Sequence, residues 1–268
     1  MNKVKNAFWF VLYLMIALFV LFPILWSLKL SLTPRYDYGF IPESLTLTHY
    51  ANIFRKKELL IYFLNSMKVS LGTICWVLPV ALLSAYALAR YTFRFRNFLS
   101  ICFLILPMLP STAILVPLVS YFNKAGLYNT LLSVIIVNGV FNMPLATWMI
   151  KNFINNTPRE IEEAAYLDGL NAMQTLFRVT APMIRPGMVS VVIYIFIVSW
   201  NNYTFSYALT SSPSKRVLSQ AVLAFIGSWG TDWGGLAAIG ICMIAPPVLL
   251  FLVFQKSFVA GLFGQSLK

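Results

Sequence analysis

Residues 151–187 read KNFINNTPREIEEAAYLDGLNAMQTLFRVTAPMIRPG, the one long polar stretch in an otherwise apolar chain. It contains four of the eight acidic residues of the protein. The pattern predicts a helix with Thr157 as its N-cap, Pro158 as its first residue and Glu160 completing a capping box. Acidic residues crowd the first turn, where the helix dipole favours them. The stretch is therefore predicted to be well structured.

A glycine divides this stretch into two helices. Gly169 is typical of a helix C-terminus. Asn171, with Gln174 three residues later, predicts the start of a second helix that runs to Pro182. The local pattern is thus helix, glycine elbow, helix. An ordinary amphipathic loop helix lying on a membrane surface remains an alternative interpretation of the same residues.

The spacing of small residues within this stretch matches a known motif. The letters EAA at 163–165, a glycine at 169 and VTAP at 179–182 resemble the EAA loop of binding-protein-dependent ABC importer permeases. The resemblance implies that residues 151–185 form a cytoplasmic coupling loop, which docks on an ATP-hydrolysing subunit. The coupling residues that it implies are Glu163, Ala164, Ala165, Gly169 and Pro182. The family usually ends this motif with Ile-x-Leu-Pro, so Val179 and Ala181 are departures, and the second changes the packing of the second helix.

Composition assigns the chain to the membrane. It has 268 residues, of which 59% are hydrophobic and 10% charged, with a mean hydropathy of +0.77. An ordinary soluble domain is excluded by these values. The net charge of +12 comes from basic residues at the ends of apolar runs. Such residues favour contact with anionic lipid headgroups and predict no nucleic-acid partner. The three cysteines lie within apolar segments and match no metal or redox spacing.

The apolar runs predict an all-α membrane protein with six transmembrane helices in a single permease domain, residues 1–268. The predicted spans are residues 7–28, 66–89, 98–122, 130–149, 186–209 and 234–254. The first run is too long for a signal-peptide core and is interpreted as an anchor. Residues 31–65 and 211–233 are predicted to lie outside the membrane, the latter with a short surface or half-inserted helix.

Orientation is weakly determined by charge. Of the 20 basic residues, eleven fall inside and nine outside under this assignment. Because that balance is close, the orientation rests on the resemblance, whose coupling loop must meet an ATPase in the cytoplasm. The resemblance implies the architecture of a type I ABC importer permease in the inner (cytoplasmic) membrane, with both termini cytoplasmic.

Missing motifs narrow the function further. The chain has no Gly-x-x-x-x-Gly-Lys-Ser/Thr loop, so it is not expected to bind ATP itself. It has no His-Glu-x-x-His or serine-elbow motif, and we expect no catalytic residue, metal or cofactor in this chain. No acidic residue lies inside a predicted span, which disfavours an ion-coupled secondary carrier. The resemblance implies that ATP and magnesium belong to a separate ATPase.

Two further stretches refine the resemblance. LT-x-x-x-Tyr-x-x-x-Phe at 45–54 and ALARYTFRFRN at 87–97 are similar to the smaller permease of carbohydrate (maltose-type) importers. That similarity implies four kinds of partner besides the lipid bilayer: a second permease, an ATP-binding subunit dimer, an external solute-binding protein and a small-molecule sugar. Import of another polar solute, such as a polyol phosphate or an amino acid, is the alternative. A stand-alone carrier or channel is a third interpretation.

The outer half of the fifth predicted span is unusually polar and aromatic. Sugars are bound by aromatic rings against their C–H faces and by amides or hydroxyls that match their OH groups. We therefore expect this region to line the substrate pathway, with its side chains within two helical turns and facing inward. Aromatic-belt residues and asparagines that join neighbouring helices are the alternative interpretation. The candidate residues are Trp200, Asn201, Asn202, Tyr203 and Ser206.

Overall fold

The computed structural model describes residues 2–34, 39–42, 44–108, 110–227 and 230–263, and almost all of their regular structure is helical. The helices are α1 (Asn2–Ser31), α2 (Thr48–Arg55), α3 (Lys57–Arg90), α4 (Arg96–Ile105), α5 (Leu115–Lys124), α6 (Leu131–Asn155), α7 (Arg159–Leu167), α8 (Ala172–Thr175), α9 (Ala181–Met183), α10 (Arg185–Trp200), α11 (Thr204–Leu209) and α12 (Trp233–Phe263). A π-helical turn, Leu176–Thr180, joins α8 to α9, and a 3₁₀ helix covers Leu218–Phe225.

Four helices are long and apolar enough to cross a bilayer without interruption. They are Phe8–Ser31, Lys57–Arg90, Leu131–Asn155 and Trp233–Lys256. Two further helix pairs pass the same test but are bent, Arg96–Met108 with Ser111–Lys124 by 92° and Ala172–Met183 with Arg185–Trp200 by 83°. The expected count of six is reached when each bent pair contributes one span; in the second pair Ala172–Met183 belongs to the predicted loop, and Arg185–Trp200 corresponds to the fifth predicted span.

Proline explains the bend in the third predicted span. Between α4 and α5 the chain turns through short 3₁₀ segments at Leu106–Met108 and Ser111–Ile114. Pro107 and Pro110 lie in this region, and each removes a backbone N–H that a continuous helix would need. The fifth predicted span, 186–209, is also divided, because α10 ends at Trp200 and α11 begins at Thr204.

Other helix ends differ from the predicted runs. The helix of the second run begins at Lys57, nine residues before the predicted start, in a stretch expected to be irregular. Glu58 lies in its first turn, where the dipole favours it, and Leu59 and Tyr62 are buried one turn apart. The polar residues of this stretch led to the prediction of irregular structure, although its apolar residues are spaced as on one face of an amphipathic helix.

The chain divides into two compact units, Met1–Leu60 with Gln220–Pro246, and Ile61–Ser219 with Pro247–Lys268. In the first, the strands Ile226–Gly227 and Gly230–Thr231 pair antiparallel. The single histidine, His49, also belongs to this unit. Its Nε2 lies 2.9 Å from the Thr33 carbonyl oxygen and its Nδ1 4.0 Å from Asp232.

In the second unit, α3, α6 and α10 pack around small residues. Alanines at the contacts let the helices approach closely. At Gly139 of α6, a Cβ atom would lie 1.9 Å from the ring of Trp76 in α3, so this position has room for glycine alone. The same core takes in Leu176 and Ile184, which anchors the second coupling helix to the spans. The buried members from the three long helices include Val77, Ala81, Ala85, Ala146, Ile150, Val191 and Ile195.

Candidate functional site

The predicted coupling loop, residues 151–185, has the predicted local structure of helix, glycine elbow and helix. Gly169 has a positive φ of 84°, which side-chain-bearing residues rarely adopt. Its N–H donates to the Tyr166 carbonyl at 3.0 Å, closing the last turn of α7. The predicted capping box of the second helix is confirmed. The Asn171 side chain accepts from the Gln174 N–H, and the Gln174 side chain accepts from the Asn171 N–H, both at 2.9 Å.

The predicted start of the first coupling helix is wrong by one residue, and the predicted side-chain cap by Thr157 is absent. Pro158 occupies the N-cap position, and α7 begins at Arg159. The Thr157 hydroxyl donates backwards to the Phe153 carbonyl at 3.1 Å. Its N–H also points back, to the Ile154 carbonyl at 3.0 Å. Thr157 therefore finishes the last turn of α6 and does not cap α7.

A buried ion pair holds α7 in place. The Arg90 Nε donates to Glu162 Oε2 at 2.8 Å, and its Nη2 donates to Glu162 Oε1 at 3.0 Å. The Thr180 hydroxyl donates to the same Oε1 at 2.9 Å. Glu162 is only 3% exposed. A bidentate guanidinium–carboxylate pair is strong and geometrically fixed, and the hydroxyl satisfies a further lone pair of the carboxylate.

Arg90 reaches a third element as well. Its Nη2 donates to the Ile154 carbonyl at 2.9 Å and to the Thr157 carbonyl at 3.2 Å, both at the end of α6. The sequence grouped Arg90 with Arg94 and Arg96 in a basic loop, and it did not select Glu162. The available signal was that Glu162 shares one side of α7 with the buried Ala165, three residues on. A carboxylate on a buried face needs a cationic partner.

Aromatic residues line a cleft beside this ion pair. The Tyr86 and Tyr166 hydroxyls are 2.9 Å apart, which joins α3 to α7 a second time. The Tyr91 ring meets Tyr86 edge-on, with ring centroids 6.2 Å apart. The cleft has a volume of about 350 Å³. It opens between α3 and the coupling loop and includes the exposed Glu163 in its lining.

The predicted coupling residues divide between the two sides of the loop. Glu163, Ala164, Gly169 and Pro182 are exposed, whereas Ala165 is 6% exposed and packs inside the chain. The first four can meet another protein directly. Ala165 can act only by holding α7 against its neighbours.

Large apolar side chains are exposed beside these residues. Leu167 is 89% exposed, and Met173 and Phe177 are about half exposed. Met173 and Phe177 are four residues apart and so lie on one side of the second helix. We call these three residues the coupling face. The sequence pattern had not selected them, although exposed apolar clusters on a polar loop are typical of protein–protein contacts.

The predicted pathway residues are split by the break between α10 and α11. Trp200 is 1% exposed and packs against Phe63 and Phe196, with ring centroids 5.4 and 5.5 Å away. Ser206 is also buried. Both are core residues of this unit, contrary to the expectation that they would face a pathway on one continuous helix. Residues 201–203 are not helical. Trp200 and Ser206 therefore lie on two separate helices and do not share one helical face.

The remaining three residues lie at the break itself. The exposed Asn201 donates its amide N–H to the Ile197 carbonyl at 3.0 Å. The Asn202 side-chain oxygen accepts from the Phe205 N–H, in the first turn of α11, at 3.0 Å. Tyr203 is partly exposed and stacks on Tyr207. Asn201 and Tyr203 are thus accessible, and Asn202 has a structural role.

Known proteins resemble this chain along its whole length. The inner membrane ABC transporter permease protein YcjP of Escherichia coli (strain K12) is 32% identical over 96% of this chain and 93% of its own. The trehalose transport system permease protein SugB of Mycobacterium tuberculosis (strain CDC 1551 / Oshkosh) is 30% identical over 100% of both.

The fold agrees with these relatives. A bacterial ABC transporter involved in the import of the acidic polysaccharide alginate matches with a TM-score of 0.81 and 20% identity, over 96% of this chain and 97% of that one. The family described as binding-protein-dependent transport system inner membrane component matches residues 77–263, which include the coupling loop and five of the predicted spans in whole or in part. The chain therefore belongs to this family of inner-membrane ABC importer permeases.

Proposed function

We propose that this chain is the membrane-spanning subunit of an ATP-driven importer that moves a sugar or oligosaccharide delivered by an external binding protein. The observation that carries the proposal is the full-length similarity to a trehalose permease, 30% identical over all of both chains. The match in fold to a transporter involved in the import of the polysaccharide alginate is consistent with a carbohydrate substrate. The family consists of inner-membrane components of transport systems that depend on a binding protein.

The coupling loop is the proposed contact with the ATPase. The coupling face offers the apolar anchors, and Glu163, Ala164, Gly169 and Pro182 are exposed in the same loop. Exposed apolar anchors of this kind are typical of the core of a protein interface. ATP and magnesium would be bound by that partner. ATP binding would move the coupling helices and turn the cavity outward, and hydrolysis would reset it. A second permease subunit would complete the pathway.

Reconstituted transport tests this function. The chain is purified with its partner subunits in proteoliposomes, with ATP inside and the solute-binding protein outside. Labelled trehalose, maltose and longer oligosaccharides should accumulate only when both ATP and the binding protein are present. Accumulation of a polyol phosphate or amino acid without any sugar would favour the alternative substrate class. Uptake without ATP would indicate a carrier and exclude the proposed function.

The same assay tests the accessible part of the predicted pathway. Asn201→Ala should raise the sugar concentration for half-maximal uptake by roughly three- to tenfold, the effect of losing one neutral hydrogen bond. The matched variant Asn202→Ala removes the hydrogen bond from the Phe205 N–H, so it should lower the free energy of unfolding by about 1 kcal/mol and leave that concentration unchanged. An unchanged half-maximal concentration in Asn201→Ala would place sugar recognition elsewhere.

The proposed orientation puts the coupling loop and both termini in the cytoplasm. Asn156 and Ser214 are both exposed and lie in the coupling loop and in the predicted outer segment. In a background lacking Cys75, Cys102 and Cys242, we expect a membrane-impermeant thiol reagent to label Ser214→Cys on intact cells. Asn156→Cys should react only after the membrane is opened. Labelling of Asn156→Cys on intact cells would reverse the topology.

A further inference from the structure

Few contacts hold the first coupling helix to the membrane-spanning part. Of the nine residues of α7, only Glu162 and Ala165 are buried. Ala165 offers a single methyl group, which contributes little apolar area. Glu162, by contrast, makes three hydrogen bonds, two from Arg90 and one from Thr180. The strongest attachment of α7 is therefore ionic and is centred on one carboxylate.

Arg90 distributes that attachment over two long helices. It is the last residue of α3, and it also donates to the two carbonyls at the end of α6, those of Ile154 and Thr157. The side chains of Arg90 and Glu162 are only 9% and 4% exposed. A surface ion pair yields easily to water, but a bidentate pair with side chains this little exposed has one geometry and little contact with solvent.

We propose that Arg90 and Glu162, with Thr180, are positioning residues that transmit movement of the coupling helix to α3 and α6. The inference rests on the proposed function, since it assumes an ATPase that moves α7. A push on α7 reaches Glu162 first, then Arg90, and through Arg90 the ends of both helices together. Because the pair cannot slide without burying an unpaired charge, the three helix ends move as one body.

Neutral substitutions separate this role from simple stabilisation. We compare Glu162→Gln, Arg90→Gln and the double variant in the reconstituted complex with its ATPase and binding protein. Each single variant buries one unpaired charge, so both should lower the thermal stability of the complex. The double variant buries no charge and should regain most of that stability. Glu160→Gln, an equal charge change at an exposed position of the same helix, is the control.

If the ion pair transmits movement, the double variant should remain defective in transport even though its stability recovers. In the double variant, stimulation of ATP hydrolysis by the loaded binding protein, and sugar taken up per ATP, should stay down on the order of fivefold or more. The Glu160→Gln control should behave as the unmodified complex.

Two results would overturn the inference. One is recovery of stimulation together with stability in the double variant, which would leave the ion pair a purely structural element. The other is normal stimulation in both single variants. Failure of the proposed function is distinguishable, since the unmodified complex would then take up no sugar under any condition.

Discussion

Leu167→Asp should abolish sugar uptake while the membrane-spanning part stays folded. At 89%, Leu167 is more exposed than any other large hydrophobic side chain in the described part of the chain. Its exposure at the end of α7, beside the elbow, is explained if a partner's apolar surface covers it. A carboxylate there would enter that contact without a partner. The loss of a central apolar anchor costs about 2–4 kcal/mol, a fall in affinity of roughly 30-fold to several hundred-fold.

Copurification of the ATPase subunit with the permease measures this effect directly. Asn155→Asp is the matched control, because it adds the same charge near the same loop at an exposed polar position. It should bind the ATPase normally, and both variants should reach the membrane at the same level. If Leu167→Asp retains its ATPase with undiminished affinity, the coupling face is not the docking surface.

Gly169→Val should uncouple the transporter by changing only the backbone. Nothing lies within 4 Å of the position that a Cβ would occupy, so the substitution meets no neighbour within the chain. The φ of 84° is nevertheless strained for a β-branched residue, at a cost of about 1–3 kcal/mol. The elbow should open, and the two coupling helices should lose their relative orientation. We expect uptake per ATP to fall by roughly tenfold, the equivalent of about 1.4 kcal/mol.

Asparagine provides the control at the same position. It tolerates a positive φ far better than valine, so Gly169→Asn should retain most of the uptake. Measuring uptake and binding-protein-stimulated ATP hydrolysis for both variants separates backbone strain from side-chain bulk. Equal loss in both would indicate a steric clash with the partner instead. Full activity of Gly169→Val would mean that the left-handed elbow is dispensable.

Local chemistry was predictable from sequence, and distant pairing was not. The elbow at Gly169 and the capping box of Asn171 and Gln174 depend on residues within three positions of each other, so their pattern is visible in the chain. The predicted Thr157 cap was wrong because a threonine hydroxyl can bond either to the helix that follows it or to the helix that precedes it. Here α6 extends close enough for the hydroxyl to donate to the Phe153 carbonyl.

The ion pair and the fate of Trp200 depended on residues far apart in the chain. No periodicity relates Arg90 to Glu162, so the arginine resembled any solvated member of a basic loop. Trp200 was expected to contact a sugar, but a tryptophan ring is equally suited to stacking on a sugar and to packing in a core. One of its two ring partners, Phe63, lies on α3, which sequence alone does not bring close. Only the tertiary structure distinguishes a packed ring from an available one.

The individual residues of helix α1 should be less constrained by natural selection than those in the rest of the chain. The most apolar eighteen-residue stretch of this helix has none of its residues buried within the chain. Lipid, or a neighbouring subunit, must cover that surface, and lipid accepts any apolar side chain of sufficient length. The family match begins only at residue 77, beyond this helix. Evolution should therefore preserve the length and hydropathy of α1 while its individual residues drift, so related permeases should diverge fastest at this end.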